Sequence, residues 1–322
     1  MLMNFSAIIA GFFLLVWAAD RFVIGSAAIA RNLGVSPIII GLTIVGLGTS
    51  APEMFVSAIA AWDGAPGMGI GNALGSNITN IGLILGVTAL IVPMAIRSET
   101  LKREFPILFV IMLLGIMLMI DGHLGRFDGV ILLVGMCIIT YWLVGLGMRT
   151  RKTDPMESEY AAEIPKKMPM WIAIMWFLVG LIALLVSSRI LVWGAVNVAQ
   201  AFGISDLIIG LTIIAIGTSL PELAASVMSA LKKEPDIAIG NVLGSNMYNL
   251  LVVLALPGLI EPSSLPDQVM TRDYPVMIGL TAALFAMGYG FRGRSGLNRM
   301  EGSLLLTAFI IYQGVIFWSA RG

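Results

Sequence analysis

The sequence has a single cysteine, few charges and no excess of either sign. Cys137 lies inside an apolar run, so no intramolecular disulfide and no thiolate metal cluster is available, and the residue reads as a small buried hydrophobe. Charged residues make up 12% of the 322 positions and cancel to a net charge of zero. The basic side chains are dispersed among short connecting segments, which excludes the concentrated positive face of a nucleic-acid-binding protein. No nucleotide-binding glycine loop and no covalent catalytic set is present, so no enzyme activity is implied.

What is abundant is apolar. Hydrophobic residues make up 58% of the chain and the mean hydropathy is +0.95, which a water-soluble domain does not have. Runs long enough to cross a hydrocarbon core of ~30 Å recur at about 4–31, 36–61, 67–93, 104–120, 124–148, 169–201, 205–231, 236–260, 272–290 and 300–320. The first run has no Lys or Arg before it and no small-residue cleavage site, so it is expected to stay as a helix. The twenty methionines suit adaptable packing between apolar helices.

Positive residues mark the cytoplasmic side. With the N-terminus outside, the cytoplasmic segments hold Arg31; Arg97, Lys102 and Arg103; Arg149, Arg151, Lys152, Lys166 and Lys167; Lys232 and Lys233; and Arg292, Arg294 and Arg299. The outer segments then keep mainly Asp63, Asp121, Asp128, Asp206, Glu261, Asp267 and Asp273. Ten spans put the C-terminus outside as well.

The strongest internal signal is a repeat. Residues 41–61 match 210–230 and residues 69–86 match 238–255, both at an offset of 169, with 20 of 39 positions identical. The identities include Gly, Thr, Ser, Pro, Glu and Asn, which shared apolar composition does not explain. Weaker echoes link Gly34 to Gly203, Pro93 to Pro262, Arg103 to Arg272 and Pro106 to Pro275. Residues 1–148 and 169–322 therefore form two five-span halves, joined by a polar cytoplasmic linker at 149–168. An odd span count makes the second half enter the membrane from the opposite side, so the fold class expected is an all-α membrane protein of ten helices in two inverted repeats.

Each half carries Gly-Thr-Ser-x-Pro-Glu, at 48–53 and 217–222, which places Glu53 and Glu222 within apolar spans. A carboxylate there is costly and points to function. Pro52 and Pro221 each remove a helix donor and are expected to loosen the helix around Gly48 and Gly217, freeing carbonyls such as those of Thr49 and Thr218. Carboxylate and carbonyl oxygens suit a hard cation; calcium takes about six to eight oxygen ligands. Thr49 and Ser50 lie four and three residues before Glu53, on one helical side. In the following spans Asn72, Ser76 and Asn80, and Asn241, Ser245 and Asn249, form polar stripes at i, i+4, i+8 whose amide and hydroxyl oxygens add neutral ligands. Helix bridging accounts for a single Ser or Asn equally well, and Gly71 and Gly75 have the spacing of a close helix contact.

These paired motifs, with Gly-Asn-x-Leu-Gly-Ser-Asn-x-x-Asn at 71–80 and 240–249, resemble the alpha repeats of the calcium/cation antiporter superfamily, and within it bacterial calcium/sodium antiporters of the YrbG type. The likeness covers essentially the whole chain. It implies that Glu53 and Glu222 with the backbone of Thr49 and Thr218 hold calcium. Ser50, Ser76, Asn80, Ser219, Ser245 and Asn249, with carbonyls near Gly46 and Ala215, would complete flanking sodium sites. The first and sixth spans would be sliding gate helices. The implied partners are calcium and sodium ions and the lipid bilayer of a prokaryotic inner membrane, with no cofactor, and a monomer is the expected assembly. Some relatives, the potassium-dependent branch among them, carry Asp where this chain has Asn249; Asn there argues against potassium dependence.

Three other readings use the same residues. A proton/calcium antiporter would employ the same Glu pair, a cation channel would conduct too fast for alternating access, and a scaffold would use the Ser and Asn stripes only for packing. Asp20, Arg21 and Arg189 lie within the long first and sixth spans, where an Asp–Arg pair or snorkelling to an interface is the simple reading. His123 reads as a solvated loop residue, and Arg103 and Arg272 as interfacial anchors.

Overall fold

The structure, a computed structural model, describes residues 2–35, 37–95, 101–149, 168–202, 215–266, 268–288 and 296–319. The linker at 150–167, the segment 203–214, Asp267, Arg97, Arg292 and Arg294 lie outside the described residues, as do the side chains of Lys102 and Arg103.

The described backbone is almost wholly helical. In order it forms α1 (Leu2–Leu33), α2 (Gly41–Thr49), α3 (Ala51–Trp62), α4 (Pro66–Ile91), β1 (Met94–Ala95), α5 (Leu101–Met119), β2 (His123–Leu124) and α6 (Arg126–Arg149). It continues with α7 (Met170–Ala201), α8 (Leu220–Leu231), α9 (Pro235–Ile260), β3 (Ser263–Ser264), α10 (Tyr274–Gly288), β4 (Gly296–Leu297) and α11 (Arg299–Ser319). Helix occupies each of the ten apolar runs within the described residues. Among those residues, five helices are long and apolar enough to cross a membrane, or six when the bent pair α2–α3 counts as one. The polarity is that of a protein in lipid: Trp62, Tyr141 and Trp318 are more than 80% exposed, whereas Glu53, Glu222, Asn77 and Asn246 are at most 1% exposed. Cys137, read from the sequence as buried, is exposed on α6. Its apolar neighbours in the chain do not distinguish a lipid-facing position from a core-facing one.

The chain divides into two compact units, 1–49 with 141–241 and 50–140 with 242–322, so each unit draws on both sequence repeats. In the first unit α1 and α7 run antiparallel in close contact. A Cβ at Gly11 would sit 3.1 Å from the Leu191 backbone nitrogen, one at Gly194 would sit 2.9 Å from Ile8, and those at Gly25 and Gly180 would collide with the backbones of Phe177 and Phe22. Shifting by 169 converts the Gly11–Leu191 contact into Gly180–Phe22, and Gly25–Phe177 into Gly194–Ile8. The seam therefore has local two-fold symmetry, and glycine is required where the backbones touch. Phe22 and Phe177 stack beside it with centroids 5.1 Å apart.

Asp20 on α1 pairs with Lys232, at the end of α8, at 2.6 Å, and more distantly with Arg21 at 3.5 Å. The Arg21 guanidinium lies 4.9 Å from the Trp176 ring centroid. The Asp–Arg pair read from sequence is thus secondary to a contact with a distant segment.

In the second unit α4 packs on α3, α10 and α11. Gly86 and Gly302 bring α4 and α11 together: a Cβ at Gly302 would lie 2.8 Å from the Gly86 carbonyl oxygen. Antiparallel β1–β4 and β2–β3 pairs close the ends, with Met94 opposite Leu297 and His123 opposite Ser264. Tyr274 donates a hydrogen bond to the Met112 carbonyl at 2.7 Å. Arg272 pairs with Asp273 at 2.7 Å, and Tyr312 donates to the same carboxylate at 2.9 Å. Arg272 is therefore tied into a buried polar group as well as sitting at a helix start. Among the described residues nothing lies within 4 Å of a Cβ at Gly71 or Gly75, so their spacing mediates no helix contact there.

α3 and α8 end in equivalent turns. Gly64 adopts φ 80° and Lys233, at the matching position, φ 60°. The following amides close on the helices, Ala65 to the Ala60 carbonyl and Glu234 to the Ser229 carbonyl, each at 2.8 Å. Glu234, outside the spans, is 6% exposed. Burial pushes its carboxyl from 4.5 up to about 7, with Arg31 opposing and Asp236 adding to the rise. The native state keeps this proton over a range where the unfolded chain has lost it, so stability falls as pH rises from about 4.5 to 7 and is flat above. Glu234→Gln is expected to match the parent below about pH 4.5 and to be more stable at about pH 8 by roughly 3 kcal/mol. Thermal unfolding in detergent across that range checks this; parallel pH profiles would mean the carboxyl is solvated.

Candidate functional site

The Gly-Thr-Ser-x-Pro-Glu motifs break their helices. Ser50 has φ −81° and ψ 4°, Ser219 has φ −89° and ψ 6°, and a new helix starts after each. The proline falls within the first two positions of the new helix, where its missing N–H costs nothing. The break therefore lies at the serine, not around Gly48 and Gly217 as the sequence suggested. The axes of α2 and α3 differ by 49°. Thr49 and Glu53 are thus separated by the break, and helical i, i+4 spacing does not apply between them. Glu53 and Glu222 occupy the first turn of α3 and α8, at the positive end of a helix dipole, and both are 1% exposed. Ser-x-x-Glu is the sequence pattern of a capping box, yet neither serine side chain caps its helix.

In the first unit Asn241 organises the residues. Thr49 Oγ1 donates to Asn241 Oδ1 at 3.1 Å, with the Gly46 carbonyl 3.5 Å from the same hydroxyl. Asn241 Nδ2 donates to Ser226 Oγ at 3.1 Å and to the Glu222 carbonyl at 3.4 Å. Thr49 of one repeat is thereby tied to the backbone of Glu222 in the other. Thr218 ends a short helical turn, Ala215–Thr218, and the side chain of Ala215 lies outside the described residues. The carbonyl that Pro221 leaves without a helical donor, that of Gly217, accepts from Ser188 Oγ at 2.8 Å. One of its two lone pairs is thus already used. Ser219 Oγ is buried without a hydrogen-bond partner among the described residues.

In the second unit Asn72 Nδ2 donates to the Glu53 carbonyl at 3.0 Å, the counterpart of Asn241 and Glu222. These two asparagines, first members of the predicted stripes, use their amide nitrogens as braces. Ser76, Asn80, Ser245 and Asn249 are buried. Asn80 Nδ2 donates to Asn246 Oδ1 at 3.0 Å, while Asn80 Oδ1 and Asn249 Oδ1 have no hydrogen-bond partner among the described residues. π-helical turns begin at both asparagines, Asn80–Leu85 and Asn249–Val253, and the Val253 carbonyl accepts from Ser57 Oγ at 2.8 Å. Such turns recur at functional sites because they leave backbone groups out of helical register. The sequence reading missed them, along with Asn77 and Asn246, although both asparagines repeat at the 169 offset.

Among the described residues no three His, Cys, Asp or Glu side chains gather into a metal cluster. The buried carboxylate, hydroxyl and amide oxygens described above are of the hard kind that calcium takes.

Apolar helices broken at buried carboxylates define the class: a membrane protein built to handle small cations. The chain belongs to the sodium/calcium exchanger protein family, whose model matches residues 3–145 and 172–318. The family is one of exchangers. The chain is 50% identical to CaxA of Alkalimonas amylolytica, over 97% of this chain and 98% of that one. It is 38% identical to the inner membrane protein YrbG of Escherichia coli (strain K12), over 99% and 98%. A solved structure of the sodium-calcium exchanger NCX_Mj superposes with a TM-score of 0.84 at 33% identity, covering 98% of this chain and 99% of the other.

The Asn241 brace predicts a graded effect. Asn241→Ala removes three hydrogen bonds in a buried setting and is expected to cost about 2–3 kcal/mol, against about 1 kcal/mol for Asn72→Ala. Thermal unfolding of the purified variants reads the difference; equal, negligible shifts would mean the Asn241 contacts are not held in the membrane protein.

Proposed function

We propose that this protein exchanges calcium for sodium across a prokaryotic inner membrane by alternating access. The single observation that carries the reading is a buried carboxylate following a helix break at equivalent positions of both repeats. Glu53 and Glu222, with the backbone of Thr49 and Thr218, would bind calcium. Ser50, Ser76, Asn80, Ser219, Ser245 and Asn249, with the carbonyls of Gly46 and Ala215, would complete the sodium sites. The carboxylates then hold either one divalent ion or several monovalent ones, and only the neutralised, loaded forms cross between the two faces. Two inverted five-span repeats with both termini outside supply the alternation; the antiparallel, two-fold-exchanging seam of α1 and α7 supports that reading, as does the family. The name of the NCX_Mj structure favours sodium over protons as the driving ion.

Vesicles containing the purified protein and loaded with sodium are expected to accumulate labelled calcium when diluted into sodium-free medium. Equal uptake with choline inside would remove sodium coupling, and uptake driven by a pH gradient alone would favour proton exchange. For topology, a cysteine at Ser158 in a Cys137-free background is expected to react from the cytoplasmic side and one at Asp267 from outside. Reaction of both from one side would refute the inverted ten-span arrangement.

A further inference from the structure

The Asn80–Asn246 hydrogen bond ties a proposed sodium ligand to a neighbour within the second unit, and it has a direction. Asn80 gives its NH2 to Asn246 Oδ1 at 3.0 Å and keeps its own oxygen, buried and without a hydrogen-bond partner among the described residues. An amide presents either an oxygen or an NH2 of similar size, and the two differ in sign toward a cation. Left to rotate, a buried amide can face an ion with the wrong end. A neighbour that accepts from its nitrogen fixes the oxygen for the ion. We propose that Asn246 is a positioning residue that sets the sodium dependence of exchange by holding the Asn80 amide with its oxygen available to the cation.

Several observations support this. Asn246 is fully buried, next to Ser245 but off the i, i+4 stripe, so its side chain is not simply another member of the ligand row. A buried amide oxygen without a partner is costly, and an ion in contact with it would offset that cost. The π-helical turn that begins at Asn80 places this amide where the helix changes register. The equivalent of Asn246 in the first repeat, Asn77, donates to Met277 Sδ at 3.3 Å, and Asn249 Oδ1 is likewise without a partner. Asn77 is therefore engaged elsewhere and serves as a control of the same type, burial and motif position.

The inference rests on the sodium/calcium exchange reading, and a double-mutant cycle separates the two. Asn246→Leu keeps the side-chain volume and removes the acceptor; Asn246→Asp keeps both volume and acceptor. In vesicles, Asn246→Leu is expected to raise the sodium concentration for half-maximal calcium exchange roughly three- to tenfold, the worth of one hydrogen bond, with the maximal rate within about twofold of the parent. Asn246→Asp is expected to stay at or below the parent's half-saturating value, Asn77→Leu to leave it unchanged, and Asn246→Leu to add nothing in an Asn80→Ala background. If the leucine variant does not fold, Asn246→Ala takes its place. Unchanged sodium dependence, or an effect that persists in full without the Asn80 amide, overturns the assignment. If the parent itself shows no sodium-driven exchange, the exchange reading fails. The same cycle read as calcium-dependent thermal stabilisation then decides the positioning role: loss of the Asn246 effect in the Asn80→Ala background upholds it, and additivity overturns it.

Discussion

An ionised carboxylate held out of water must be offset by an opposite charge, because the desolvation penalty is several kcal/mol even after the surroundings relax. Glu53 and Glu222 are both nearly inaccessible, and much of what is distinctive in this chain surrounds them. The helices that carry them break one turn earlier, at Ser50 and Ser219, so each carboxylate begins a new helix and the serine backbone leaves helical geometry. A transported cation is the natural partner for such a group. Two equivalent buried carboxylates in a protein whose family exchanges ions fit a cation that comes and goes better than a resident one.

Neutral amides fix this arrangement. Asn72 and Asn241 each bind the carbonyl of the Glu in their own repeat, and Asn241 adds a contact to Thr49 from the other repeat. Neutral braces hold the backbone without adding charges that would compete with an ion. The seams are correspondingly bare: glycines where α1 meets α7 and where α4 meets α11 let backbones touch, which gives rigid contacts without polar side chains in lipid.

Much of the fold was legible in the sequence because the spacing of a repeat and the length of an apolar run are written directly in it. α1, α4, α7 and α9 begin and end within a few residues of the apolar runs. The motif breaks were legible from Pro52 and Pro221, but misplaced by two residues, because proline is tolerated in the first turn of the helix it starts. The π-helical turns at Asn80 and Asn249 have no residue signature; they arise from how one turn of backbone hydrogen bonds is shared. The bracing role of Asn72 and Asn241 was hidden because an amide serves equally as ligand or donor. Gly71 and Gly75 matched a packing pattern but touch no other helix among the described residues, and hydropathy gave no side to Cys137. Lys232, 212 positions from Asp20, could not have been named as its partner from spacing.

The central claim is that one carboxylate from each repeat serves a single calcium ion. Equilibrium binding of labelled calcium to the purified protein tests it most directly, with Glu53→Gln and Glu222→Gln alongside the parent. The account predicts one calcium per chain, displaced by sodium, and none retained by either variant once folding is verified. Two calcium ions per chain in the parent, or one still held tightly by either variant, would contradict it.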